Sequence, residues 1–323
     1  MDTYEYEKYI TNSDNLKETL QKYGVAIIPN VINDLECNNT VNGMWEYFEH
    51  ITQKWDVQIT KDNKDSWKQI YKLYPIHSML IQHWNIGHMQ SVWNIRQNKN
   101  IVDIFSTLWN CTNEELLVSF DGISFNLPPE VMKRGWNRNN TWYHTDQSFT
   151  RNDFECVQSW VTANDVNVGD ATLAFMEGSH LYHKDCKEHF NLTDKKDWNK
   201  LTREHEDFFL NKGCNYKKIY CPKGSLVLWD SRVIHCGAEA YKEREKPNTR
   251  AIVYLCYMPR SLCKPKDIIK KQDAFNELRL TTHWPSKPRL FPKHPRTYGN
   301  ELPVINNIEK PQLSELGKKL AGF

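Results

Sequence analysis

Trp142-Tyr143-His144-Thr145-Asp146-Gln147, followed after nine intervening residues by Val157-Gln158-Ser159-Trp160-Val161-Thr162-Ala163, is the stretch on which the reading of the fold turns. The second segment is dense in β-branched and aromatic residues and bounded by polar sequence, which predicts a strand. An extended chain presents every second side chain to the same face. His144 and Asp146 therefore project together if their own segment is also extended. The triplet His-x-Asp carries little weight alone, because the chain holds three of them. His183-Lys184-Asp185 and His205-Glu206-Asp207 fall at or within a charged stretch, Lys184 to about Lys223, that shows no apolar alternation. Only the triplet at 144 leads into strand-like sequence.

Two later segments complete a candidate site. Gly224-Ser225-Leu226-Val227-Leu228-Trp229-Asp230-Ser231-Arg232-Val233-Ile234-His235 places a second His 89 residues after Asp146, and Thr249-Arg250-Ala251-Ile252-Val253-Tyr254 opens an apolar strand on an Arg. Two imidazoles and one carboxylate on one face of a divalent ion, with the other face open, form the ligand set of non-haem iron(II) sites. A guanidinium nearby offers a bidentate anchor for a dicarboxylate. Arg244 is the rival anchor, but it lies in the charged turn Glu243 to Asn248 and reads as solvated. No His-Glu-x-x-His is present to supply the general base of a zinc hydrolase.

With these residues goes a resemblance. His144-Thr145-Asp146-Gln147, Gly169-Asp170-Ala171-Thr172-Leu173-Ala174-Phe175-Met176-Glu177-Gly178-Ser179-His180, Gly224 to His235 and Thr249 to Tyr254, in that order, resemble the phytanoyl-CoA hydroxylase-like family of iron(II)- and 2-oxoglutarate-dependent dioxygenases. The likeness begins near Leu16, with a short helix, the strand-like Tyr23 to Pro29 and a following helix, and runs to about residue 258. It implies a mainly β fold with flanking α-helices around a double-stranded β-helix, the cupin-like jelly roll. It further implies iron(II) on His144, Asp146 and His235, 2-oxoglutarate held by Arg250, and dioxygen as co-substrate. Ascorbate is compatible as an accessory. The reaction implied is hydroxylation of a small-molecule substrate, with 2-oxoglutarate decarboxylated to succinate and carbon dioxide. Asp146 favours hydroxylation over halogenation, because related halogenases carry a small residue at that position. Trp160 matches an aromatic bordering the co-substrate, and Gln158 faces the same cavity. His180 and His183 belong to a structural turn, Asp230 and Arg232 form a structural ion pair, and Cys236 is a buried strand thiol.

Composition frames this reading. The chain has 323 residues, 42 Lys and Arg, 40 Asp and Glu, and a formal net charge of +2, so no global basic field points to nucleic acid. Residues 259–323 hold 13 Lys and Arg against 6 Asp and Glu. Such a segment is a solvated surface or the rim of a site that receives anions. The weaker alternatives are an oxygenase acting on nucleic acid or protein, through that segment and the loop from Arg134 to Trp142, and a catalytically inactive jelly-roll binding protein. The nine Cys are scattered without a Cys-x-x-Cys pair, which fits reduced thiols. With no secretory signal and no run of 18 apolar residues, the expected setting is cytoplasmic and free of membrane. Nothing specifies an oligomeric state.

The whole chain, 1–323, is expected to form one oxygenase domain: a helical and strand flank over 1–115, a jelly-roll core over about 116–258 with a polar insert over about 184–223, and a basic, proline-containing extension over 259–323. Within it, Ser13 and Asp14 are expected to cap a helix ending near Gly24, Val25 to Val31 to form a strand, and Asp34 to about Thr52 a helix with Leu35, Val41, Met44, Trp45 and Phe48 inward. Trp55 to Gln97 is expected to be a helical layer, Ile101 to Trp109 and Lys266 to Leu280 helices, Leu116 to Asn126 paired strands, and Pro128 to Asn140 a polar loop before the site.

Overall fold

The computed structural model describes residues 3–73, 79–138 and 142–323. The chain begins with strand β1 (Thr3–Glu5), helix α1 (Leu16–Tyr23), strand β2 (Val25–Ile28) and helix α2 (Asp34–Ile51). After two 3-10 stretches come α3 (Gln90–Arg96), α4 (Lys99–Trp109), β3 (Leu116–Val118), β4 (Ile123–Asn126), α5 (Pro129–Met132), β5 (His144–Thr145), β6 (Val157–Thr162) and β7 (Thr172–Glu177). The remainder is α6 (His183–Phe190), β8 (Asn199–Lys200), α7 (Arg203–Asn211), β9 (Asn215–Ile219), β10 (Leu226–Asp230), β11 (His235–Ala238), β12 (Arg250–Pro259), α8 (Pro265–Asn276) and α9 (Glu315–Ala321).

Two sheets result, in the orders β1-β9-β7-β11-β5-β8 and β2-β10-β6-β12-β3, with β4 also on β12. Both are open-edged; β1 and β9 run parallel and the other strand pairs of these sheets antiparallel. Period-two alternation assigns their faces. In β10, Val227 and Trp229 join Val25, Ile27, Leu173, Phe175, Ile219 and Ile252 in an apolar cluster drawn from both sheets, so the sheets pack face to face. Leu226 and Leu228 point the other way, into a layer built on α2, α3 and α4. Across the molecule, Ala174, Met176, Cys236 and Ala238 cover the outer face of the first sheet with Cys186 of α6 and Phe209 of α7. Helices, sheet, sheet, helices is the order of layers, and β6, β7, β11 and β12 are each buried on both sides.

Several expectations change. Helix α1 begins at Leu16 behind Asn15, and it is Asn12, not Ser13 or Asp14, whose side chain accepts the Asn15 amide at 3.0 Å. Leu35 is exposed on α2, since the first turn overhangs the packed face. Strands β3 and β4 do not pair with one another; each lies along a different part of β12, at Tyr257–Pro259 and Arg250–Val253. The stretch from Lys184 to Lys223 is not a plain insert. It carries α6 and α7, and its last part, β9, is an interior strand between β1 and β7. Lys217 and Lys218 mask the alternation of β9, because Lys218 is buried with its ammonium on the Tyr241 hydroxyl at 2.5 Å. His183 and Asp185, like His205 and Asp207, stand on helices, where residues two apart point to opposite sides. No hairpin joins the strand of His235 to that of Arg250, for β11 and β12 belong to different sheets. The expected loop before the site begins as α5, and the expected region Trp55 to Gln97 holds 3-10 turns and α3; residues 74–78 and 139–140 of these two stretches lie outside the described residues.

Candidate active site

Strand pairing brings the distant segments together. His235 of β11 sits directly opposite His144 of β5, and their rings are 4.5 Å apart. Asp146 follows in the bend after β5, so the two-residue offset survives although only His144 and Thr145 are in the strand. The Asp146 amide is fixed by the Ser231 carbonyl at 3.2 Å, and Thr145 Oγ1 donates to the same carbonyl at 3.0 Å. One ligand atom from each of His144, Asp146 and His235 lies within 4.8 Å of the others. Asp146 Oδ2 is 3.7 Å from His144 Nε2 and 3.3 Å from His235 Nε2. Donors each about 2.1 Å from one ion and at right angles are roughly 3 Å apart, so this set fits a divalent cation.

The surrounding hydrogen bonds ready the donors. His144 Nδ1 faces the Trp142 carbonyl at 3.2 Å and His235 Nδ1 the Val233 carbonyl at 2.9 Å. Each ring therefore donates its Nδ1–H to the backbone and turns a lone pair on Nε2 toward Asp146. Burial would raise the Asp146 carboxyl, but the pull of the His144 and His283 imidazoles in their protonated form, and the Nε2–H that protonated His144 and His235 turn toward it, outweigh burial and hold the group well below the usual carboxylate range until a metal takes the place of those protons. Burial, with the nearby His144, lowers His235 against the opposing pull of Asp146. An ionised carboxylate and a neutral imidazole are the forms that bind a metal.

The inner faces of β6 and β12 supply the rest. Gln158 Nε2 donates to Asp146 Oδ2 at 3.0 Å, so its amide steadies the carboxylate. Arg250 is 7% exposed, with Nε on Ser124 Oγ at 3.0 Å, Nη1 on the Ala171 carbonyl at 2.8 Å and Nη2 3.5 Å from the Tyr254 hydroxyl. None of these partners is anionic, which leaves a buried cation without a counter-charge among the described residues. The guanidinium carbon is 5.6 Å from the Trp160 ring, and the Trp160 indole N–H has no partner. Arg250, Trp160, Gln158 and the triad all line one cavity of about 520 Å³.

Arg244 is the correction here. It is not solvated: its side chain is 2% exposed, bound by Glu130 at 2.5 Å and Asp170 at 2.8 Å. The motif at Gly169-Asp170 thus closes the turn before β12, and Arg244 is already neutralised. Arg232 pairs with Asp230 at 2.6 Å, His180 Nε2 meets the Gln21 carbonyl at 2.9 Å, and His183 packs between Gln147 and Asn152; each stays outside the cavity lining. Cys236 faces the outer helical layer.

The cavity has further walls, whose individual residues the sequence did not single out. Asp197 and Trp198, between α6 and α7, and Thr282, His283, Trp284, Arg289 and Phe291, beyond α8, all line it. The basic extension is therefore partly a wall of the site. A His-Trp-Pro run at 283–285 is the one local signal, and no spacing ties it to the triad.

A family model, "Phytanoyl-CoA dioxygenase (PhyH)", matches residues 20–241. The curated protein "Ava biosynthesis cluster protein O" of Aspergillus versicolor is 28% identical over 213 residues, 64% of this chain and 66% of the relative, so the match spans just under two thirds of the relative's length. Among solved structures, hypothetical protein JW0805 from Escherichia coli is similar with a TM-score of 0.58 at 12% identity, over 98% of this chain and 85% of that one. GlcNAc Inducible Gene 2 protein, GIG2, from Candida albicans gives a TM-score of 0.55 at 13% identity, over 83% of this chain and 68% of that one. At such identities the structural likeness is one of fold.

Proposed function

Because the chain belongs to the phytanoyl-CoA dioxygenase family, a family of iron- and 2-oxoglutarate-dependent oxygenases, we propose that it is an iron(II)- and 2-oxoglutarate-dependent dioxygenase that hydroxylates a small molecule. The facing sheets are read as the two halves of a double-stranded β-helix, and the chain as one oxygenase domain. The observation that carries the proposal is the pairing of three metal-ready donors within 4.8 Å with a buried guanidinium that lacks an acidic partner, all on one cavity.

In this reading His144, Asp146 and His235 hold the ion. Their Nδ1–H···O=C bonds and the Gln158 amide fix ring tautomer and carboxylate orientation before the ion arrives. Arg250 receives the distal carboxylate of 2-oxoglutarate through two parallel N–H donors, with Trp160 beside it. When bound, the ion and co-substrate supply the oxidising power: dioxygen and 2-oxoglutarate give succinate and carbon dioxide, and the second oxygen atom enters a substrate C–H bond.

The test is succinate release from 2-oxoglutarate by the iron(II)-loaded protein, together with anaerobic titration of 2-oxoglutarate. Slow release without substrate is expected in the wild type. His144→Ala and Asp146→Ala are expected to lower it by roughly 10²-fold or more and to lose iron(II) binding. Wild-type release in either variant removes the assignment of the site.

A further inference from the structure

Five buried side-chain polar atoms without a hydrogen-bond partner among the described residues belong to residues that line the cavity over His144, Asp146 and His235. Buried polar atoms are ordinarily paired, so a concentration of unpaired ones in one cavity marks where a ligand's polar atoms go. Two of the five, the indole nitrogens of Trp160 and Trp229, stand beside Arg250 and His235, in the part of the cavity already assigned. The other three are consecutive: Thr282 Oγ1, His283 Nε2 and Trp284 Nε1. Nothing in the proposed chemistry uses them.

The segment that carries them is rigidly mounted. Thr281 N–H donates to the Phe120 carbonyl at 2.9 Å and Thr281 Oγ1 accepts the Phe120 amide at 3.0 Å. Thr282 N–H donates to the Arg289 carbonyl at 2.9 Å, and Phe291 N–H to the Leu280 carbonyl at 3.0 Å, closing a short two-stranded loop. Trp284 packs on Cys156, Cys256 and Met258, with the Arg151 guanidinium 4.8 Å from its ring. A wall held in this way is preorganised for recognition.

The charged groups around the cavity are already engaged, apart from Asp121, which burial raises to about 7 and so toward its neutral acid. Asp197 is held by Arg151 and lies 3.8 Å from Arg289, Asp121 accepts the Gly122 amide at 2.8 Å, and Asp146 and Arg250 serve the ion and co-substrate. What remains for the substrate is neutral: a hydroxyl, an imidazole and an indole N–H, the last of which only donates. The rest of the opening is aromatic. Trp142 stacks on the His144 ring at 4.6 Å and Trp198 lies 5.7 Å from it, yet the two are 37% and 52% exposed. Large aromatic faces left open at a pocket mouth suit flat rings.

Resting on the oxygenase reading, we infer that Thr282-His283-Trp284 is a substrate-recognition wall, and that the substrate is an uncharged, ring-containing molecule whose oxygen acceptors meet this wall while its ring lies against Trp142 and Trp198.

Three probes of one shape test it, titrated calorimetrically and anaerobically into protein carrying iron(II) and 2-oxoglutarate: 2-acetylnaphthalene (neutral acceptor), 2-isopropenylnaphthalene (no acceptor) and 2-naphthoate (anion). Binding of 2-oxoglutarate is recorded first, so that its absence sinks the underlying reading and leaves the wall to be judged on the probes alone. The ketone is expected to bind about tenfold or more tightly than either other probe. In the Thr282→Val, His283→Leu double variant that preference is expected to shrink to within about threefold, while the hydrocarbon's affinity stays within about threefold of wild type and serves as the fold check. Should the double variant lose the hydrocarbon, Thr282→Val and Trp284→Phe make the same comparison singly. Equal binding of the three probes, preference for the anion, or a ketone preference that survives the variants overturns the inference.

Discussion

At the scale of single residues the candidate site is a problem of orientation. Gln158 shares an inward face with Trp160, and its side-chain amide donates to Asp146 Oδ2 at 3.0 Å. Groups that steer a metal ligand are commonly worth 10–100-fold in affinity, so Gln158→Leu is expected to weaken iron(II) binding by about that factor. An anaerobic iron(II) titration measures it, and unchanged affinity would show that the carboxylate is oriented by other contacts. Arg250 acts on the co-substrate instead. Arg250→Ala is expected to raise the 2-oxoglutarate concentration for half-maximal turnover by roughly 10²-fold, with a smaller effect on the rate at saturation, because one buried charge-assisted pair is lost from binding. A kinetic series in 2-oxoglutarate separates the two effects. Arg244 shows why chain position misleads. Its charged turn looks solvated, but Asp170, 74 residues earlier, folds back under it.

Strands and helices set a second kind of constraint. The Ile81–Ile123 bridge brings the chain before α3 onto the start of β4, with amide–carbonyl contacts of 2.8 and 3.2 Å. Gly122, next to it, leaves no room: a methyl there would overlap the Ile81 carbonyl oxygen. Gly122→Ala is expected to lower stability by about 1–3 kcal/mol, read from denaturant unfolding, since a backbone carbonyl cannot rotate away as a side chain can. An unchanged midpoint would mean that the bridge separates freely. Where an element is amphipathic and local, sequence predicts it closely: α2, α4, α8 and β6 fall within four residues of expectation at each end. Strand β9 escapes because Lys217 and Lys218 break its pattern, and its partners β1 and β7 lie far along the chain.

Over the whole molecule, the basic extension is bound to the helical layer through a buried imidazole. His88 accepts the Trp93 indole N–H on Nδ1 at 3.3 Å and turns Nε2–H to the Arg279 carbonyl at 3.0 Å, so the ring is neutral. Burial, and then the Arg96 cation, push its pKa down to about 3 from an ordinary 6.5. Below pH 6.5 the unfolded chain takes up a proton that the folded chain refuses. Stability from this group is whole above pH 6.5 and is lost progressively toward pH 3, by up to about 1.4 kcal/mol per pH unit. Asp121, raised to about 7 chiefly by burial, slopes the other way between pH 3.8 and 7. The two are separated by substitution: on going from pH 6.5 to 4 the melting temperature of His88→Gln is expected to fall less, or rise more, than that of the wild type. Equal changes would mean that His88 takes up its proton in the folded chain as readily as in the unfolded one. Among the described residues no helix is long and apolar enough to cross a membrane.

The amino-acid order by itself picked out His144, Asp146, His235 and Arg250 as candidates and carried the family resemblance, because each of those residues sits in a short segment whose pattern is local. Only the tertiary structure decided that β11 meets β5, that Arg244 is buried, and that residues 282–284 form a wall of the cavity. Each of these depends on contacts between segments tens to more than a hundred residues apart, and such contacts are selected by the packing of whole sheets rather than by any pattern within one window of sequence.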